Sequence, residues 1–240
     1  MARLRGPGGC PWDREQTHRT LAHPLLEETH ELLEAIDSGD SDAIRDELGD
    51  LLLQVVFHAE MASEEGRWDV DDVARRLTEK LIHRHPHVFA DVEVSGAEEV
   101  LTNWEKLKAE EGSGSRRGVE DDIPATLPAL ARADKVQRRA AGWGVEWPSS
   151  EAAVAALREE VGELSEGSED AEREIGELLF AAVAAARKLG VDAESALRRA
   201  TRGFADRYEH FRAQAVERGL DPDGVSEDEV RALFREARGP

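Results

Sequence analysis

The sequence is poor in cysteine, in long apolar runs and in aromatic residues, and each shortage excludes a class of protein. Cys10 is the only cysteine of 240 residues, which excludes a disulfide framework and a cysteine-ligated zinc site. No segment approaches about 20 apolar residues and the start has no apolar signal region, so we expect no membrane partner and a cytoplasmic protein. With 5% aromatic and 35% charged residues, the composition predicts an all-α fold with almost no strand.

Positive charge is also in short supply. The chain has 52 Asp and Glu against 31 Lys and Arg, a formal net charge of −21. Such a charge repels phosphodiester backbones, so we expect no nucleic-acid partner. A small phosphorylated ligand fits this charge only if a divalent cation stands between its phosphates and the carboxylates.

A stretch without apolar periodicity, GSGSRRGVEDDIP at residues 112–124, predicts a linker between units at 1–111 and 125–240. The same features recur on both sides of it. LLEETHELLEAI from Leu25 and RDELGDLLLQ from Arg45 are answered by ALREEVGELSEG from Ala156 and REIGELLF from Arg173. We therefore predict a tandem repeat of two four-helix-bundle-like units, each with an EExxE helix followed by a long ExxD or ExxE helix.

Carboxylates lie at helical spacing in the first unit. Glu28 and Glu31 border the apolar face of the EExxE helix, whereas Glu27 points away from it. The next helix is apolar nearly all round and is expected to be buried, with Glu47 and Asp50 on one narrow polar stripe. Burying carboxylates without a cation costs several kcal/mol each, and no Lys or Arg lies on that stripe. If the two helices face each other, the four carboxylates predict a Mg²⁺ site, with Mn²⁺ as an alternative.

The second unit repeats this arrangement of acidic residues. A solvated acidic face is the simpler interpretation of a single EExxE, because acidic helices are common. The recurrence of the pattern beside apolar residues favours a metal site in each unit. The corresponding candidate ligands in the second unit are Glu160, Glu163, Glu174 and Glu177.

Several longer strings resemble the MazG family over nearly the whole chain. They are GGCPWDREQTH from Gly8, HRHPHVFADV from His83 and NWEKLKAEE from Asn103, together with EExxE and ExxD. The resemblance implies an all-α, usually dimeric enzyme that hydrolyses nucleoside triphosphates to the monophosphate and pyrophosphate with Mg²⁺. We therefore expect a homodimer whose substrate is a nucleoside triphosphate.

The resemblance also implies roles for individual residues of the first unit. Its metal ligands would be Glu28, Glu31, Glu47 and Asp50, and Glu27 would steer the attacking water. Phosphates and base would be held by Lys80, Arg84, Trp104 and Lys108. Lys80 and Arg84 lie one helical turn apart and can lean toward the same triphosphate, whereas Trp104 fits an ordinary core residue equally well.

The second unit departs from the family pattern at four positions. Glu177 replaces an aspartate, Gly203 a lysine, Phe234 a tryptophan and Arg238 a lysine, whereas Arg207 is retained. Arg207 and Arg238 remain candidates for contacting substrate there. We predict that the first unit performs the chemistry and that the second is mainly structural.

Two other functions stay open from the sequence alone. One is an acidic helical binding or regulatory module in which a metal ion only stabilises the fold. The other is a house-cleaning pyrophosphatase with a narrow preference for aberrant nucleotides, because pocket shape and polar loop groups set base selection.

Overall fold

The computed structural model describes residues 1–96, 99–100, 103–104, 107, 118–167, 170–219 and 226–237. Every regular element in these ranges is a helix, which confirms the all-α prediction. None of these helices is long and apolar enough to cross a membrane. The chain divides into two compact units, Met1–Ser115 and Arg116–Pro240. The bounds 1–111 and 125–240 stay a prediction, because residues 108–117 lie outside the described ranges.

The first unit is built around a helical hairpin. Its described helices are α1 (Ala2–Arg5), α2 (Pro11–Glu15), α3 (Ala22–Ser38), α4 (Ser41–Glu64), α5 (Val70–Arg84) and α6 (Pro86–Phe89). Gly39 ends α3 in the left-handed conformation, and the Asp40 carboxylate caps α4 by accepting bonds from the backbone N–H of Asp42 and Ala43. Asp69 caps α5 in a capping box.

The core of the first unit lies where the chain start meets the later half of α4. Leu21, Phe57 and Met61 form a buried cluster there. Arg5 fastens α1 to the end of α4 through two 2.8 Å hydrogen bonds to the carboxylate of Glu64. The Arg5 guanidinium also lies 5.5 Å from the centre of the Phe57 ring. This end of α4 is thus fixed, whereas the carboxylates lie toward its other end.

The second unit also contains a helical hairpin, and the helices that precede and follow it are longer than those in the first unit. Its described helices are α7 (Ala129–Ala141), α8 (Ser150–Glu166), α9 (Ala171–Lys188), α10 (Ala193–Glu217) and α11 (Glu227–Glu236). Helix α9 packs against both α8 and α7. The buried Gln137 amide of α7 donates a 2.8 Å hydrogen bond to the Phe180 carbonyl of α9. Small buried residues such as Ala153 and Ala184 allow α8 and α9 to approach closely.

The prediction that α4 is a buried helix is wrong for the part of it up to Val55. Leu48, Leu52, Leu53 and Val55 are exposed, and Leu52 retains 60% of its accessible surface. Within the first unit α4 packs on α3 and makes fewer contacts with α5, so the described helices cover only part of its circumference. The apolar pattern therefore marks a face without a covering helix in the described part of this chain.

Candidate functional site

The hairpin geometry brings acidic residues of α3 and α4 to the same level. Glu28 lies ten residues before the end of α3 and Asp50 nine residues after the start of α4. At about 1.5 Å of rise per residue, both lie about 14 Å from the turn at Gly39 and Asp40. Antiparallel packing therefore places the two carboxylates side by side.

Glu28, Glu47 and Asp50 form the first cluster, in which one carboxylate oxygen of each lies within 4.8 Å of the others. Glu28 and Glu47 are half-buried, whereas Asp50 is exposed. The prediction that Asp50 points into the interior is thus wrong, because the hairpin leaves this side of α4 open. The cluster lies at an accessible edge, where a ligand can reach it from solvent.

Burial and mutual repulsion both act on the carboxylates of the first cluster. Burial raises the pKa of Glu28, and the charges of Asp50, Glu31, Glu47 and Glu27 raise it further. Burial and the charges of Glu31 and Asp50 likewise raise the pKa of Glu47. In the described part of the chain, no ion pair involves Glu28, Glu47 or Asp50. The donor set of hard oxygens without a protein cation fits a divalent metal ion.

Two predicted residues of the first unit lie beside this cluster rather than in it. Glu31 acts on Glu28 and Glu47 through its charge but is not one of the three residues that converge. Glu27 is exposed and pairs with His23 at 3.1 Å on the same helix. Their assignments as ligand and as water-steering group stay predictions.

The second cluster consists of Glu160, Glu174 and Glu177, again with oxygens within 4.8 Å of one another. Glu174 is buried and Glu177 is exposed. Burial raises the pKa of Glu160, and the charges of Glu163, Glu177 and Glu174 raise it further. Glu163 is not one of the three residues that converge, so its role as a ligand stays a prediction.

Arg173 is a cation in contact with the second cluster that was not among the predicted site residues. Its guanidinium donates to Glu177 Oε2 at 2.6 Å and to Glu174 Oε1. It also counteracts the carboxylates around Glu160, whose pKa it lowers. The signal for the contact with Glu177 was present in the sequence, because Arg173 lies four residues, one helical turn, before it.

The predicted phosphate-binding residues of the first unit lie on α5. Lys80 is exposed and borders an open groove together with Trp68 and Arg76. Arg84 is half-buried, with its guanidinium 5.9 Å from the centre of the Trp104 ring. Neither cation is among the charges that shift the pKa of Glu28 or Glu47. Lys108 lies outside the described residues.

The second unit repeats the pairing of an arginine with an aromatic ring. The guanidinium of Arg207 lies 4.2 Å from the centre of the Phe234 ring and 5.5 Å from that of Phe204. Arg207 and Phe234 are the residues matched to Arg84 and Trp104. The other substrate-binding candidate of this unit, Arg238, lies outside the described residues.

The sequence is similar to known proteins along nearly its whole length. Residues 16–89, which contain the first cluster, match the model of the MazG nucleotide pyrophosphohydrolase domain. The nucleoside triphosphate pyrophosphohydrolase of Escherichia coli K12 is 44% identical over 99% of this chain and 94% of its own length. The nucleoside triphosphate pyrophosphohydrolase/pyrophosphatase MazG of Thermotoga maritima is 41% identical over 100% of this chain and 93% of its own length.

Proposed function

Because the chain belongs to the MazG nucleotide pyrophosphohydrolase family, we propose that Glu28, Glu47 and Asp50 form the metal centre of a nucleoside triphosphate pyrophosphohydrolase. The class of enzyme follows from similarity to named pyrophosphohydrolases along nearly the whole chain. The location of the chemistry rests on one observation, the convergence of three carboxylates from α3 and α4 that form no ion pair with a cation among the described residues. This arrangement argues against a binding module without catalysis, which needs no open acidic edge.

The ion that best fits the first cluster is Mg²⁺, with Mn²⁺ as a substitute, because both prefer carboxylate oxygens. When bound, it would supply Lewis-acid polarisation of the phosphate oxygens and neutralise the leaving pyrophosphate. Glu28, Glu47 and Asp50 would hold it, with Glu31 close enough to add a further negative charge. Burial and then repulsion between the carboxylates raise the pKa of Glu28 and Glu47, and a bound cation relieves that repulsion.

The remaining groups of the first unit bind and orient the substrate. Lys80 and Arg84 contact the phosphates, and Arg84 is held against the ring of Trp104, which can also pack on the base. Water attacks the α-phosphorus while the bond from that phosphorus to the bridging oxygen breaks, giving the monophosphate and pyrophosphate. Glu27 is the group suited to orient this water and accept its proton, once its contact with His23 opens.

Product analysis tests the reaction. We expect ATP and deoxynucleoside triphosphates to give pyrophosphate and monophosphate in the presence of Mg²⁺ and to stay intact in EDTA. A diphosphate with inorganic phosphate, or turnover in EDTA, contradicts the proposal. Values of kcat/KM across a panel of standard, deaminated and oxidised nucleotides then separate a general enzyme from a narrow house-cleaning one.

The same proposal includes a homodimer in the cytoplasm. The exposed apolar residues of α4 need a covering surface, and a second copy of the chain supplies one with matching character. Light scattering at micromolar concentration should return about twice the chain mass of 26.5 kDa. A mass near 26.5 kDa itself contradicts the dimer.

A further inference from the structure

The second cluster differs from the first by one internal counter-charge. Arg173 bridges two of its three carboxylates, with a 2.6 Å contact to Glu177 and a second contact to Glu174. Glu174 is only 5% exposed, so this contact holds a guanidinium group against a buried carboxylate. Arginine stays charged at every accessible pH, so the neutralisation is permanent.

The matching position of the first unit has the opposite charge. When Glu47 is aligned with Glu174, Asp46 occupies the position that corresponds to Arg173. The neighbouring Arg45 does not restore the balance, because it pairs at 2.9 Å with Asp46 and at 2.8 Å with Asp42. Asp46 is a negative charge directly beside Glu47 in the chain, where the second unit has a positive one. The two clusters therefore differ by two units of charge at one position.

This contact makes the second cluster a poor fit for the divalent ion that the family implies. Mg²⁺ requires short bonds of about 2.0–2.1 Å in near-octahedral geometry. Arg173 engages one oxygen each of Glu174 and Glu177 and places a positive charge where a dication would have to enter. Glu177 is also one methylene longer than Asp50, and Gly203 supplies no cation for a phosphate.

We propose that Arg173 is the resident cation of the second cluster and that it excludes a divalent ion from the second unit. The inference rests on the proposed function insofar as it takes the first cluster to be the metal centre. The two carboxylate clusters then differ in the source of their cation, because the first binds a metal ion from solution and the second uses the guanidinium of Arg173.

Binding of Mn²⁺, counted by electron paramagnetic resonance on the full-length protein, tests this directly. In the wild type, Asp50→Asn should remove tight Mn²⁺ binding and Glu177→Gln should leave it unchanged. Arg173→Ala should bind at least one more equivalent of Mn²⁺ per chain than the wild type. This additional Mn²⁺ should bind at least tenfold more tightly than any residual Mn²⁺ bound by the Asp50→Asn variant. That equivalent should persist in Arg173→Ala/Asp50→Asn and disappear in Arg173→Ala/Glu177→Gln.

The outcomes separate this inference from the proposed function. The role of Arg173 is overturned if Glu177→Gln alone removes Mn²⁺ binding. It is also overturned if a folded Arg173→Ala variant binds no additional Mn²⁺. Wild-type binding that is insensitive to Asp50→Asn overturns the first cluster as metal centre, whatever Arg173 does. If Arg173→Ala fails to fold, the wild type and the Glu177→Gln variant still test the inference. Mn²⁺ should raise the Tm of both proteins by the same amount, and unequal shifts in Tm contradict the inference.

Discussion

Asp50→Asn and Glu177→Gln form a matched pair that tests which unit does the chemistry. Each change removes one carboxylate charge from an exposed position on the second helix of a hairpin. The Asp50 oxygen lies within 4.8 Å of those of Glu28 and Glu47, in a cluster that no protein cation neutralises in the described chain. Two unit charges about 4 Å apart interact by about 1 kcal/mol in water and about 4 kcal/mol at an effective dielectric constant of 20. A carboxylate facing a dication interacts about twice as strongly, which gives a range of about 2–8 kcal/mol.

We therefore expect Asp50→Asn to raise the barrier by about 3 kcal/mol, a loss of at least a hundredfold in kcat. Glu177→Gln should retain most of the rate, because Arg173 already neutralises that carboxylate. Pyrophosphate release at saturating Mg²⁺ measures both, after circular dichroism has shown that each variant is folded. An Asp50→Asn enzyme with a near-normal rate, or a Glu177→Gln enzyme with a hundredfold loss, would refute the assignment to the first unit.

Three further predictions concern stability. Phe57→Ala should cost about 3–5 kcal/mol in urea unfolding, since Phe57 is 4% exposed and packs in the core; a loss below 1 kcal/mol contradicts that core. Asp69→Ala removes the cap of α5 and should cost about 1 kcal/mol in the same assay, whereas an unchanged midpoint contradicts a stabilising cap. Burial and then the charge of His18 lower the pKa of His58 from 6.5, so the unfolded chain takes up its proton first and stability falls as pH drops through 6.5. Thermal scans should show a smaller fall for His58→Gln, and an identical pH dependence contradicts the shift.

The hairpins could be predicted because their signals are local. Asp40 and Asp69 are side chains that accept bonds from the first turn of a helix, and such capping depends on a few neighbouring residues. The spacing of Glu28 and Asp50 from a short turn then fixes their level in the hairpin. For this reason the convergence of acidic residues followed from periodicity and loop length without knowledge of distant contacts.

Burial and charge pairing were harder to predict because they depend on more than one helix. The apolar residues around α4 indicated a buried helix, yet periodicity does not say whether the covering surface belongs to the same unit. The bridge from Arg173 to Glu174 was missed for a different reason. Adjacent residues on a helix usually point apart, and only the long arginine side chain reaches both Glu174 and Glu177.

The two hairpins differ in the charges around their carboxylate clusters but share an exposed apolar face. Leu48, Leu52 and Leu53 of α4 correspond to Ile175, Leu179 and Phe180 of α9, and all six are about half-exposed. Full burial of a large apolar side chain is worth about 1.5–3 kcal/mol, and each of these half-exposed side chains forgoes about half of that. A unit that had lost every role would have no physical reason to keep such a face apolar. In the proposed homodimer, these faces are the surfaces that a second copy would cover, and in our proposal Arg173 takes the place of a metal ion in the second carboxylate cluster.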